Sequence, residues 1–116
     1  MIQVIKRDGE RAEFRLVKIT EAIKKAFKAT GKMFNNEILE LLSLRVTADF
    51  QGKMKDEEIS VEEIQDSVEH VLEQTGYTDV AKAYILYRKQ REKIRNMKNT
   101  ILDYKDVVNS YVKVED

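Results

Sequence analysis

A chain with no proline and only four glycines, at positions 9, 31, 52 and 76, has few places where a helix must stop. Its helices are therefore free to be long, and the glycines mark its turns. The first of them stands in Val4-Ile5-Lys6-Arg7-Asp8-Gly9. Asp-Gly between two short apolar segments supplies the positive φ angles of a tight hairpin turn. A two-residue Asp8-Gly9 loop sets Ile5 opposite Ala12 and leaves Phe14 on the same face, an apolar underside. The polar top then holds Val4, Lys6, Arg11 and Glu13, and a shift of register by one residue exchanges the partners.

Beyond the hairpin the apolar spacing is helical. Ile19, Ala22, Ile23, Ala26 and Phe27 place an amphipathic helix over 17–30, stopped at Gly31. Asn35 or Asn36 caps a second helix with Ile38, Leu41, Leu42 and Val46 as its buried stripe, extended to Phe50, and Gly52 ends it. Residues 53–59 form a polar connection in which Glu58-Ile59-Ser60 can add a third strand beside the hairpin. Ser60 and Glu63 have the spacing of a capping box and Ile59 and Ile64 that of a hydrophobic staple. A third helix continues to about 74, burying Ile64, Val68, Val71 and Leu72, and Gly76 closes it. Thr78 caps the last long helix, with Val80, Ala83, Tyr84, Tyr87 and Ile94 in helical period, running out of the core into solvent beyond Tyr87. From 100 onward Ile101, Leu102, Tyr104, Val107, Val108, Tyr111 and Val112 fit no core stripe, and the tail reads as a linker. The fold class is α+β and mostly helical: about four helices in a bundle, capped by an N-terminal hairpin or a small three-stranded sheet.

Composition excludes several chemistries. The chain has 116 residues, zero formal net charge, no cysteine and one histidine. Disulfides, thiolate catalysis and cysteine zinc sites are ruled out, and a two-histidine metal site cannot form within one chain. His70 lies in a helical stretch and reads as exposed or capping. No apolar run approaches membrane-spanning length and no signal peptide opens the chain, so the cytoplasm is the default location. Gly31-Lys32 and Gly52-Lys53 lack the rest of a phosphate-binding loop, and the scattered glycines form no dinucleotide fingerprint. Adjacent carboxylates, Glu57-Glu58 and Glu62-Glu63, sit where a helix begins and suit its dipole better than acid-base catalysis. Nothing in the sequence looks like a catalytic centre.

Charge is laid out unevenly. Residues 6–32 are mainly basic, residues 56–73 mainly acidic, and a second basic block runs from Lys82 to Lys98. Lys6 and Arg7 at the hairpin tip, with Lys18 one strand length later, can converge on a polyanion such as a triphosphate. The competing reading is that Lys6 and Arg7 are solvated edge-strand charges that discourage aggregation. Tyr84 and Tyr87, at helical spacing, are core residues more readily than base-stacking platforms, though a tyrosine can be both.

Three blocks carry a resemblance: Val4-Ile5-Lys6-Arg7-Asp8-Gly9 with Phe14 and Lys18-Ile19, then Ile59 to Asp66, then Ala81 to Arg88. In this order they closely resemble the ATP-cone, the nucleotide-binding regulatory domain of ribonucleotide reductases. The tail, Tyr104 to Tyr111, resembles the segment that enters the catalytic domain of the anaerobic, glycyl-radical class. The resemblance implies an ATP-cone over residues 1–98 and, over 99–116, a linker toward a catalytic domain beyond the chain. It implies ATP or dATP as allosteric effector, bound between the cap and the helices with or without Mg2+, and no tightly bound redox cofactor. The implied binding positions are Val4, Lys6, Arg7, Lys18, Ile19, Gln65, Lys82, Tyr87 and Arg88. Lys18 and the hairpin cations would face phosphates, with Arg88 a further candidate, and Val4 and Ile19 would pack the base. Ala12 and Arg15 depart from the family pattern, in which a glutamate and an Asp or Asn are common there.

The function that this resemblance implies is control of the overall activity of a ribonucleoside-triphosphate reductase, not reduction by this chain. The partners implied are the adenine nucleotide, the catalytic domain of the parent enzyme and further copies in an effector-dependent homo-oligomer, with no membrane. Two other readings compete. A nucleotide-sensing transcriptional repressor shares the domain but adds a cysteine zinc ribbon, and a small basic helical module would bind nucleic acid through the segments around Lys24 and Arg91.

Overall fold

Gly9, in the left-handed region at φ 87°, sets the geometry of the whole N-terminal cap. The computed structural model describes residues 1–115, with side chains through Lys98. Strands β1 (Gln3–Ile5) and β2 (Arg11–Glu13) are antiparallel, pairing Gln3 with Glu13, Val4 with Ala12 and Ile5 with Arg11. The expected two-residue loop does not form. Instead Gly9 N–H donates to Lys6 O (2.9 Å) and Lys6 N–H to Glu10 O (2.8 Å), closing a three-residue loop over Arg7, Asp8 and Gly9. Asp8 Oδ1 accepts from Glu10 N–H at 2.9 Å, which steadies this turn. A turn followed by a left-handed glycine is the usual three-residue hairpin, and it moves the register by one. The expected pairing of Ile5 with Ala12 is thereby corrected. Val4, Lys6 and Ala12, in line with Phe14, occupy one face, and Ile5, Arg11 and Glu13 the other.

The optional third strand is present. β3 (Glu58–Ser60) runs parallel to β1, with Val4 beside Ile59, giving the order β2-β1-β3. Ile59 is buried, and Ile2 and Phe14 pack against the core, so this face covers the helices. On the other face Arg11 Nε reaches across β1 to Glu58 Oε1 at 2.8 Å. The turn into β3 carries an uncommon backbone: Asp56 and Glu57 both have positive φ, 53° and 62°, while Lys55 and Glu58 exchange backbone hydrogen bonds.

The helices are α1 (Leu16–Thr30), α2 (Asn36–Gln51), α3 (Val61–Gln74) and α4 (Thr78–Glu115). Asn35 caps α2, its Oδ1 accepting from Ile38 N–H at 2.8 Å. Ser60 and Glu63 form the full capping box of α3. Gly31 ends α1 in the left-handed conformation, φ 70°. Thr78 does not cap α4 but is its first residue, and Tyr77 O accepts from Ala81 N–H. The architecture is thus α+β and mostly helical, with a small mixed sheet at the N-terminus.

Two units emerge, Met1–Ile85 and Leu86–Asp116. The core lies in the first, where Ile23, Phe27, Leu39, Leu42, Val46, Phe50, Val68 and Leu72 are almost wholly removed from water. Phe27 meets Tyr77 edge-on at 5.1 Å and Phe50 meets Phe14 at 5.4 Å. The stripe of α2 is rotated from expectation. Leu39, Leu42, Ser43, Val46 and Phe50 are buried, whereas Ile38 is partly buried and Leu41 is 55% exposed. Apolar residues surround this helix at Ile38, Leu39, Leu41, Leu42 and Leu44, so spacing alone admits more than one face. The segment expected as a linker is helical, because α4 continues through 99–115. After Gly76 no glycine or proline stands in its way.

Candidate functional site

The register set by Gly9 turns Val4, Ala12 and Phe14 inward, over the first turns of α1 and α3. Between them lies an open-sided cavity of about 200 Å³. Its walls are apolar: the three strand residues, Ile19 and Ala22 of α1, Val61, Ile64 and Val68 of α3, and Tyr84 of α4. All of these belong to the first unit. Polar residues complete the lining: Lys6, Glu13, Arg15, Lys18 and Gln65.

The cations arrive from three places. Lys6 continues the inward face of β1, Arg15 is the residue before α1, and Lys18 lies in its first turn. All three are exposed, and no ion pair engages their side chains among the described residues. Arg15 occupies the N-cap of α1 without a side-chain cap, and no carboxylate stands in that first turn. α2 and α3 have both features. The positive end of the α1 dipole therefore adds to the field of Lys6, Arg15 and Lys18. An apolar slot edged on one side by cations and backbone dipoles fits a ligand with a flat apolar part and an anionic part.

Arg7 takes another path. Its Nη1 donates to Glu62 Oε1 at 2.8 Å and its Nη2 to Gln65 Oε1 at 3.1 Å, tying the hairpin tip to the start of α3. The expected convergence of Lys6, Arg7 and Lys18 is thus modified: Lys6 and Lys18 edge the cavity, and Arg7 reaches it only through Gln65. Of the positions named from sequence, Val4, Lys6, Lys18, Ile19 and Gln65 line the cavity. Arg7 and Lys82 do not, Lys82 being exposed on α4. Tyr87 and Arg88 fall in the second unit, where Arg91 lies over the Tyr87 ring at 5.9 Å.

Sequence reasoning did not assign Ala12, Glu13, Phe14, Arg15, Ala22, Val61, Ile64, Val68 or Tyr84 to the lining. The three-residue loop was the signal for Ala12 and Phe14, since a glycine in the bulge position brings both beside Val4. Ala12 was placed on the apolar underside of the hairpin, and Arg15 stood out as a departure from a family pattern. Tyr84 is core and lining at once, 5% exposed. His70 is exposed, with Nε2 3.8 Å from Asp49 Oδ1, and takes no part in the cavity. Among the described residues no cluster of three or more His, Asp or Glu side chains is placed to hold a metal ion, and no helix is long and apolar enough to cross a membrane.

A profile of the ATP cone domain family matches residues 2–93. The chain is 42% identical over 106 residues to ribonucleoside-diphosphate reductase subunit alpha of Chlamydia pneumoniae, a match covering 85% of this chain and 10% of that one. It is 45% identical over 101 residues to the vitamin B12-dependent ribonucleoside-diphosphate reductase of Thermoplasma acidophilum, covering 83% and 13%. With the anaerobic ribonucleoside-triphosphate reductase of Haemophilus influenzae the identity is 37% over 101 residues, covering 84% and 14%. The matched region is thus about a tenth to a seventh of the length of these relatives.

Proposed function

Since this chain belongs to the ATP-cone domain family, we propose that the cavity between the sheet and the first turns of α1 and α3 binds ATP or dATP as an allosteric effector of a ribonucleoside-triphosphate reductase. The observation that carries this reading is the trio of Lys6, Arg15 and Lys18 at one edge of an apolar slot, cations that no ion pair engages among the described residues. A triphosphate brings enough negative charge to neutralise all three, and charge-assisted hydrogen bonds are the strong kind. Val4, Ile19 and Tyr84 offer apolar surface for an adenine ring. Glu13 is the single acidic residue of the lining, and its register turns its side chain to the other face of the sheet, so a magnesium ion would enter on the phosphates.

In this proposal the chain regulates and does not reduce. An effector changes the parent enzyme only as far as it binds two of its arrangements unequally, so the cavity has to differ between them. Discrimination of ATP from dATP rests on one hydroxyl, which a site that hydrogen-bonds it can read strongly. The remainder of the parent enzyme, in the cytoplasm, and further copies of it are the partners that this role calls for.

Titration calorimetry at moderate salt tests the reading with ATP, dATP and GTP. Saturable binding of the adenine nucleotides is expected, weakened about tenfold or more in Lys6→Ala and Lys18→Ala, each removing a charge-assisted contact. Both side chains are exposed, so the variants remain folded. No heat with any nucleotide would overturn the proposal, as would binding indifferent to both lysines.

A further inference from the structure

The end of α3 far from the sheet holds a second concavity. α3 stops in a tight reversal: Gly76 N–H, at φ 88°, donates to Glu73 O at 3.2 Å, and Tyr77 N–H donates to Leu72 O at 2.9 Å. Backbone bonds of this kind turn the chain back on its helix. Tyr77 is thereby returned to the bundle, where its ring meets Phe27 at 5.1 Å and has the Lys32 ammonium 5.5 Å from its centre. Thr75 is held in the same turn, its hydroxyl donating to Val71 O at 2.8 Å.

The rotation of α2 supplies the opposite wall. Because Leu39, Ser43, Val46 and Phe50 take the core, the flank that carries Ile38, Leu41 and Arg45 is left beside the end of α3. Between this flank, with Leu42, and the Thr75–Tyr77 turn lies an open cavity of about 310 Å³. It shares no lining residue with the cavity under the sheet. Ile64 lines one and Thr75 the other, roughly 16 Å apart along the axis of α3.

The chemistry of the lining is narrow. Ile38, Leu41 and Leu42 are apolar, and Arg45 is the one charged residue. Arg45 is exposed, and no ion pair or hydrogen bond engages its side chain among the described residues. Tyr77 is half-buried, and among the described residues its hydroxyl has no hydrogen-bond partner either. The volume is that of a small-molecule site, for which about 300 Å³ is the lower end. An inorganic anion would leave the apolar wall unused, and a triphosphate carries more charge than one guanidinium matches. A planar carboxylate meets a guanidinium through two parallel hydrogen bonds, and an aromatic body packs against a tyrosine ring and leucine side chains.

We infer that this cavity is a ligand site in its own right, for a small organic carboxylate with an aromatic body. The carboxylate sits on Arg45, and the ring lies against Tyr77, Leu41 and Ile38. The inference is independent of the nucleotide reading, since it uses none of the same residues.

The test follows the backbone amide signals of the full chain by proton–nitrogen NMR as naphthalene carboxylate is added. Naphthalene carboxamide serves as the neutral probe of the same shape. The carboxylate is expected to give saturable shifts at Leu41, Arg45, Thr75 and Tyr77. It should bind about tenfold or more tightly than the carboxamide, the effect of one charge-assisted pair. Arg45→Gln is expected to erase that difference, and Leu41→Ser to weaken both probes. Both side chains are exposed, and unmoved amide signals in the core check that each variant keeps its fold. The inference is overturned if the carboxylate gives no saturable shifts, or if the shifts fall on Val4, Ile19 and Gln65 instead. It is overturned as well if the carboxamide binds as tightly as the carboxylate, or if Arg45→Gln binds the carboxylate as tightly as the parent chain.

Discussion

Arg7 at the hairpin tip and Glu62 in the first turn of α3 are joined by a 2.8 Å hydrogen bond between residues far apart in sequence. The pair holds the guanidinium beside the cavity but away from its edge. Removing the carboxylate releases a fourth cation for an anionic ligand. Glu62→Gln is therefore expected to raise ATP affinity by about two- to fivefold, measured by calorimetry, while stability changes by less than about 0.5 kcal/mol because the pair is partly exposed. Unchanged or weaker binding would mean that Arg7 has no path to the phosphates.

Arg15 is expected to separate stability from binding. An asparagine at this N-cap supplies the side-chain acceptor that α1 lacks, and should stabilise the fold by about 0.5–1 kcal/mol. The same Arg15→Asn change removes one of three cations and should weaken ATP binding several-fold. Urea denaturation and calorimetry on one preparation read both signs.

Leu42 and Leu41 are adjacent and chemically identical, yet 2% and 55% exposed. Leu42→Ala is expected to cost about 2–5 kcal/mol, the range for a buried leucine. Leu41→Ala should cost less than about 1 kcal/mol. Equal costs in urea denaturation would show that α2 is turned differently in solution.

Glu57 stands at φ 62° in a turn that glycine would adopt without strain. Its backbone carbonyl accepts from Gln3 N–H at 2.9 Å, a bond that any residue keeps, and its carboxylate pairs with the exposed N-terminal ammonium. Glu57→Gly should stabilise the protein by about 0.5–1 kcal/mol, seen as a higher urea midpoint with unchanged slope.

Much of this molecule was legible from local chemistry. Asn35 and Ser60 cap because their side chains reach backbone N–H groups three residues on, and Gly31 ends α1 because glycine enters the left-handed region freely. The family resemblance rests on the same local strings. What local chemistry left undetermined were choices between near-equal alternatives: a two- or three-residue loop at Gly9, Leu41 or Leu39 as the inward side of α2, Arg7 toward the cavity or toward Glu62. Each was decided by contacts between segments distant in the chain. Only the packed sheet rewards turning Val4, Ala12 and Phe14 inward together, only α1 and α3 reward burying Leu39 in place of Leu41, and only α3 offers Arg7 its two acceptors. Sequence alone thus determined where α1, α2 and α3 form and stop, since those are properties of a few neighbouring residues. Tertiary structure decided which face each element turns inward, and with it which cations edge the cavity, since that energy belongs to pairs of elements and appears only when they meet.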